Sequence, residues 1–245
     1  MIKPFVCLSA LLGSLWSIAP DAKPIIVLLE ARYRAARTLQ ATFLERYSEN
    51  GRPVRVEAGR AYFRKPGKMR WEYESPEKNL FLVDGKTAWF YVPADHTVTR
   101  VPAKQSTDWR TPLALLAGEM KLDKVCARVE PATDVKPDSA DDVMLYCVPR
   151  GTDAKEKRSA ATGTGLKQTV PESAIFLEVS RATANLTRVV LRDGGRVELE
   201  FKFANWEFDP PVSDALFRFE VPPGVAIVNG ESPVDDMRVK PRVKP

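Results

Sequence analysis

The chain has 245 residues, of which 44% are hydrophobic and 28% are charged, a composition typical of a globular protein with a sizeable core. Its formal net charge of +5 would permit an anionic partner. No predicted element carries a basic cluster, however, so a nucleic-acid partner is not expected.

The first 22 residues are predicted to form a secretory signal peptide. Lys3 supplies a positive start, residues 5–18 are apolar, and Ala19 or Ala22 offers a small side chain for cleavage. The apolar run is shorter than the about 20 residues that a membrane-spanning helix needs. We therefore expect a protein that is exported to the periplasm through a cleaved signal peptide.

The mature chain is predicted to begin with an amphipathic helix. Within residues 21–36, Ile26, Leu29, Tyr33 and Ala36 fall at the three- and four-residue spacings of a helix with one apolar stripe. Because an apolar stripe must be buried, we expect this helix to pack across an open face of the sheet that follows.

About eleven segments after this helix alternate apolar and polar residues, which is the period of a strand with one buried face. Their connections are short, so consecutive strands are expected to be antiparallel neighbours. A single antiparallel sheet of about eleven strands curls, because strand twist accumulates, and we expect an unclosed half barrel in a mainly β protein. The predicted strands are 38–47, 54–65, 96–102, 124–129, 143–148, 174–179, 186–191 and 196–204, with further short strands within 66–93.

Large apolar side chains are concentrated in the strands between residues 59 and 93. Alternation alone would allow an ordinary core, or one wall of a ligand cavity. Together with two residues of the first strand, the candidates for such a wall are Leu39, Phe43, Phe63, Met69, Trp71, Phe81, Trp89 and Tyr91.

A short and very apolar helix is predicted between two of the strands. Thr111 suits its N-cap, Pro112 its first helical position and Gly118 its end. Since Leu113 and Leu116 leave it no polar face, we expect it to cover the sheet either as a plug or as a movable lid.

Two cysteines remain after the signal peptide. Cys126 and Cys147 flank the polar stretch 131–142, which is typical of a hairpin connection. In an oxidising compartment a disulfide is the favoured interpretation, with two unpaired buried cysteines as the alternative.

The sequence shows no motif that is typical of a catalytic site. His96 is the single histidine, and we interpret it as an exposed residue at the start of a strand. No spacing indicates a metal site, a nucleophile elbow or a cofactor motif, so we expect a binding module without metal or cofactor. That module is predicted to cover residues 23–228, and residues 229–245 are predicted to be a disordered basic tail.

Four segments in this order, WEYESP, LVDGKTAWFYVP, TPLALLAG and FRFEVPPGV, resemble the LolA-type periplasmic lipoprotein carriers. The resemblance covers about residues 21–228. It implies an unclosed barrel capped by helices, whose cavity takes the acyl chains of triacylated lipoproteins. It also implies transfer from an inner-membrane Lol ABC transporter to an outer-membrane acceptor lipoprotein, and a monomer is expected.

The resemblance assigns roles to individual positions. Lys65 stands where the family has its lid-closing arginine, although lysine offers one ammonium where arginine offers a planar fork of donors. Trp71 matches a cavity tryptophan, and Met69 stands at an aromatic position that serves delivery. Leu116 matches a lid residue that contacts the strand carrying Val189.

Two alternatives stay open at this point. One is a regulatory lipid sensor that resembles RseB, although that family carries a second domain for which this chain has no room. The other is a secreted lipid hydrolase, in which His96 would be the residue to test.

Overall fold

A single twelve-stranded sheet dominates the computed structural model, which describes residues 22–106, 111–150, 173–193 and 196–230. The strands are β1 Thr38–Glu49, β2 Arg52–Arg64, β3 Lys68–Ser75, β4 Leu80–Val83, β5 Thr87–Val92, β6 Thr97–Pro102, β7 Cys126–Pro131, β8 Asp142–Pro149, β9 Ala174–Ser180, β10 Leu186–Asp193, β11 Val197–Phe208 and β12 Ala226–Asn229. Their order in the sheet is β12-β6-β5-β4-β3-β2-β1-β11-β10-β9-β8-β7. The edge strands β12 and β7 do not pair with each other, so the predicted unclosed barrel is confirmed.

The eleven predicted strands are all present, and the structure adds a twelfth. β12 runs parallel to β6, with Ala226 N donating to His96 O over 2.9 Å, whereas every other pairing is antiparallel. The predicted sheet is thus extended at this edge by one parallel strand that was not predicted, and that strand includes residue 229, the first residue of the predicted tail. All four residues of β12 are exposed, so no apolar alternation marked the strand in the sequence.

The predicted N-terminal helix, α1, spans Lys23–Ala35 and ends before β1. Its buried stripe is formed by Ile25, Leu29 and Tyr33, and the predicted Ile26 is only half-buried. Residues four apart lie on one helix face, so the stripe continues from Tyr33 through Leu29 to Ile25.

The predicted apolar helix is a 3-10 helix, Thr111–Ala117, which we call the lid helix. A 3-10 helix has three residues per turn, so Leu113 and Leu116 lie on the same face. Both are fully buried, at 1% and 0% exposure. A short helix α2, Leu122–Val125, then leads into β7.

The two faces of the sheet are covered by different parts of the chain. The face that packs against α1 and the lid helix, the inner face, holds the main core. On the outer face, Phe219 from the segment after β11 contacts Trp89 and Tyr91 of β5, and Phe217 in the same segment is buried. The connection between β7 and β8 folds back over β8–β10, where Val135 is buried in a small second core.

Cys126 and Cys147 form a disulfide across β7 and β8, with their Cα atoms 5.4 Å apart. Among the described helices, none has the length and apolar character that crossing a membrane would require. The predicted signal peptide up to residue 21 and the tail from residue 231 lie outside the described residues.

Candidate functional site

The middle of the inner face is built from small residues on β2 and large rings on its neighbours. Gly59 pairs with Phe43 on one side and with Tyr73 on the other. A Cβ at Gly59 would lie 1.9 Å from Glu72 O, so only glycine permits this close approach of β2 and β3. The missing side chain lets Phe43 close over β2, with its ring centroid 5.1 Å from that of Tyr73.

Trp71 is the centre of this aromatic surface and is completely buried. Its indole lies 4.9 Å from the ring of Phe43, 5.6 Å from Phe63 and 5.3 Å from Phe201, measured between centroids. Edge-on and tilted pairs of this kind add to the stabilisation from buried area. The indole Nε1–H of Trp71 has no hydrogen-bond acceptor among the described residues.

Most of the predicted cavity residues are brought together on this face. They come from four neighbouring strands, from β10 and from the lid helix, and all are at most 4% exposed. They are Leu39, Phe43, Phe63, Met69, Trp71, Phe81, Leu113, Leu116 and Val189.

Trp89 and Tyr91 are corrections, because their side chains lie on the outer face. In the register of β4 and β5, Phe81 pairs with Phe90, so Phe90 shares the inner face. Trp89 and Tyr91 have the opposite phase and contact Phe219, at 5.3 and 5.5 Å between ring centroids. Their assignment to a cavity wall was wrong because β5 carries rings on both faces, and alternation alone does not say which face is inner.

Several inner-face rings were not among the predicted site residues, and three of them surround Trp71 and Phe81. Phe90 continues the row from Trp71 and Phe81, while Phe201 and Phe203 face Trp71 from β11. The clean alternation of β11 was visible in the sequence, and the pairing of β11 with β1 was the missing information.

The lid helix is attached to the sheet mainly through apolar side chains. One backbone hydrogen bond joins it to the β2–β3 turn, from Gly67 N to Ala117 O at 2.8 Å. Between Leu113 and Val189 a cavity of about 10 Å³ remains, which is about the size of one water molecule. This gap is too small for a lipid chain, so a ligand can enter here only if the lid helix moves.

Lys65 fastens the end of α1. Its ammonium donates to the carbonyls of Tyr33, Arg34 and Ala36 at 2.7, 2.9 and 2.7 Å. Among the described residues it has no hydrogen bond to the lid helix, so a role of Lys65 in lid closure stays a prediction. The register explains the contact with α1: Arg64 pairs with Thr38, which places the end of β2 beside the end of α1. Burial and the nearby Arg34 lower the pKa of Lys65, and Asp209 opposes them.

Tyr33 anchors α1 on the opposite side, against β10 and β11. Its ring is fully buried and stands edge-on to Trp206 and Phe208, at 5.2 and 5.3 Å. Its hydroxyl accepts a hydrogen bond from Leu186 N at 2.9 Å. Burial raises the pKa of Tyr33, and the Leu186 bond and Arg32 lower it by less.

The inner face becomes polar toward the β1–β2 turn, away from the lid helix. Glu45 pairs with Glu57 in register, and both are buried, at 2% and 7% exposure. Tyr73 donates its hydroxyl proton to Glu45, and Arg55 Nε lies 2.8 Å from Glu57 Oε2. The Arg55 side chain is 32% exposed, so this polar end of the inner face reaches solvent.

His96 lies in the turn between β5 and β6 and is exposed. Its backbone has φ of 49°, the left-handed conformation, and its N–H bonds to Pro93 O at 3.1 Å. The interpretation as an exposed residue at a strand start therefore agrees with the structure.

Comparisons with known proteins identify the relatives of this chain. A family model described as outer membrane lipoprotein carrier protein LolA matches residues 34–146. An outer-membrane lipoprotein carrier protein of Methylococcus capsulatus is 40% identical over 92 residues, which are 36% of this chain and 43% of that protein. One of Chromobacterium violaceum is 28% identical over 214 residues, 87% of this chain and 91% of that protein.

A solved structure supports the same fold at low sequence identity. An uncharacterised conserved protein of Thermus thermophilus superimposes with a TM-score of 0.50 at 16% identity, over 85% of this chain and 99% of that one. The curated relatives are named carrier proteins and not hydrolases, so their names agree with the expected binding module and give no support to the hydrolase alternative. By these matches, this chain is similar to the LolA-type outer-membrane lipoprotein carrier proteins.

Proposed function

We propose that this protein is a periplasmic carrier that holds the acyl chains of lipoproteins between the inner face of its sheet and the lid helix. The observation that carries the proposal is the inner face, where a row of aromatic and aliphatic side chains centred on Trp71 lies under a short apolar helix. Such a surface can exchange contacts with the lid helix for contacts with a hydrocarbon chain.

The free energies of burial favour replacing the contacts of the lid helix with contacts to an acyl chain. Each buried methylene is worth about 0.8 kcal/mol, so an acyl chain of about 15 methylenes gains about 12 kcal/mol on leaving water. Lifting the lid helix exposes Leu113 and Leu116, which costs about 1.5–3 kcal/mol for each side chain. Acyl burial therefore exceeds the cost of opening, and the closed structure is compatible with both capture and release.

Similarity to the named carrier proteins supports a wider transport role. The relatives are named outer-membrane lipoprotein carriers, and such carriers act in the periplasm. We propose that the cargo consists of triacylated lipoproteins, received from an inner-membrane Lol ABC transporter and delivered to an outer-membrane acceptor.

The test is formation of a soluble complex with a purified triacylated lipoprotein, measured by size exclusion with native mass spectrometry. The wild-type protein is expected to yield a one-to-one complex in detergent-free buffer. Leu116→Glu places a charge on the buried face of the lid helix and is expected to lower affinity about tenfold or more. Leu28→Glu, at a 54% exposed position of α1, is the matched control and is expected to bind normally.

Circular dichroism on each variant separates lost binding from lost folding. If Leu116→Glu does not fold, Leu115→Glu at the half-buried neighbouring position takes its place. A wild-type protein that leaves the lipoprotein aggregated would contradict the carrier function. If the lid-helix variant and the Leu28→Glu control bind the lipoprotein equally well, the lid helix is not part of the binding site.

A further inference from the structure

The side chain of Trp71 carries a hydrogen-bond donor, its indole Nε1–H, on the apolar part of the inner face. Its Nε1–H is buried and has no acceptor among the residues that the structure describes. The surrounding rings of Phe43, Phe63 and Phe201 carry no oxygen or nitrogen acceptor, and an aromatic π face is a weak acceptor. Buried donors are rarely left in this condition in folded proteins, so this one calls for an explanation.

The two other tryptophans that the structure describes are satisfied. Trp206 Nε1 donates to Leu186 O at 2.7 Å, and Trp89 Nε1 lies 3.3 Å from Asp84 Oδ2. Both are only half-buried, so water could also serve them. The indole without an acceptor is the fully buried one, where the lack is most costly.

Trp71 also lies at a boundary along the inner face. On its side toward the lid helix the neighbours are Met69 and Phe63, which are apolar. Two residues further along β3 is Tyr73, whose hydroxyl begins the polar end with Glu45. A lipid has the same profile, because its apolar chain ends at an ester or amide carbonyl and a polar head follows.

We propose that the Trp71 indole N–H donates a hydrogen bond to an ester carbonyl of the bound lipid. The carbonyl accepts at Trp71, the acyl chain extends toward Met69 and the lid helix, and the polar head lies toward Tyr73 and the partly exposed Arg55. The site thereby selects acyl lipids over hydrocarbon chains that lack a carbonyl. This inference rests on the proposed function and specifies the chemical group that the site recognises.

The test compares two synthetic lipopeptides that differ only in their linkage. One carries ester-linked chains, and the other carries ether-linked chains of equal length, which lack the ester carbonyls. Affinities are measured by displacement of a bound naphthalene-sulfonate dye. The wild-type protein is expected to bind the ester form about tenfold more tightly, which corresponds to about 1.4 kcal/mol.

Two variants assign this preference to one atom. Trp71→Phe keeps an aromatic ring but removes the N–H, and it is expected to bind both lipopeptides within about twofold of each other. Trp206→Phe is the matched control, because its indole already bonds to Leu186 O, and it is expected to keep the preference. A second measurement is the indole proton resonance of Trp71, which is expected to move downfield with the ester form and not with the ether form.

Each outcome decides the matter. Equal wild-type affinity for the two lipopeptides, or an unchanged preference in Trp71→Phe, would overturn the inference while leaving the carrier function intact. If the wild-type protein binds neither lipopeptide, the proposed function and the inference fall together. If Trp71→Phe does not fold, the wild-type affinity ratio and the indole resonance decide on their own.

Discussion

Two elements cover the inner face of the sheet, α1 and the lid helix, and they are attached to it by different kinds of contact. α1 is fastened at its end by three hydrogen bonds from Lys65 and on its side by the buried Tyr33. The lid helix has apolar burial through Leu113 and Leu116, and its described backbone bond to the sheet is the one from Gly67 to Ala117. A directional polar attachment resists sliding, whereas apolar contacts can be replaced by any hydrocarbon surface.

This difference indicates which cover moves. Three charge-assisted bonds and a hydroxyl bond must break before α1 leaves the sheet. An acyl chain supplies no hydrogen bonds in return, so it cannot replace these contacts. It can replace the contacts of Leu113 and Leu116, so under the proposed function the lid helix is the element that a lipid is expected to displace.

A matched pair of leucines gives the largest expected effect. Leu29 in α1 and Leu116 in the lid helix are both 0% exposed, and truncation to alanine removes the same atoms. The cost of such a truncation depends on how well the site can collapse. We expect Leu29→Ala to lower the free energy of unfolding by about 4 kcal/mol and Leu116→Ala by about 2 kcal/mol, measured by urea denaturation.

The same pair can be examined by hydrogen exchange. Leu116→Ala is expected to accelerate exchange in the lid helix alone, while Leu29→Ala accelerates it through α1 and the neighbouring strands. Equal costs together with equal exchange patterns would mean that the two covers are held alike.

Lys65→Met removes the ammonium and keeps a side chain of similar length. The carbonyls of Tyr33, Arg34 and Ala36 then lose their donor, and the end of α1 loses a favourable cation. We expect the free energy of unfolding to fall by about 2 kcal/mol, with faster exchange in the last turn of α1.

Lys86→Met is the control for this change. Lys86 is exposed and has no side-chain hydrogen bond or ion pair among the described residues, so its replacement is expected to alter stability by less than about 0.5 kcal/mol. If the two lysine variants are equally stable, the hydrogen bonds of Lys65 do not fasten α1.

The sequence predicted what depends on local pattern. The alternation in strands such as β3 and β11 identified eleven strands, and the Thr-Pro to Gly signature located the lid helix at Thr111–Ala117. A period of two repeats along one strand, so it can be seen without knowing the neighbouring strands.

The sequence could not predict what depends on distant parts of the chain that meet. The face occupied by Trp89 depends on Phe219, which is 130 residues further along and covers the outer side of β5. The partner of Lys65 depends on how β1 pairs with β2, and β12 depends on an edge offered by β6. The sequence also could not show that Trp71 lacks a hydrogen-bond acceptor, because this depends on how all the residues of the inner face pack around its indole.

The smallest expected effect concerns Tyr33 and is seen only at high pH. Burial raises the pKa of the Tyr33 hydroxyl above its ordinary value of 10.0, so the folded state keeps this proton to higher pH than the unfolded state does. The stabilisation is complete below about pH 10 and is lost as the pH rises further. At about pH 11 we expect the wild-type protein to have lost about 1.4 kcal/mol through this group.

Tyr33→Phe removes the titrating hydroxyl but keeps the ring against Trp206 and Phe208. Its stability at neutral pH is lower, because Leu186 N loses its acceptor, so the quantity to compare is the change between about pH 9 and pH 11. Other tyrosines and lysines titrate in both proteins and cancel in this difference. Parallel curves would show that the Tyr33 hydroxyl is not held in a dry environment, and the hydrogen bonds of Lys65 alone would then distinguish the attachment of α1 from that of the lid helix.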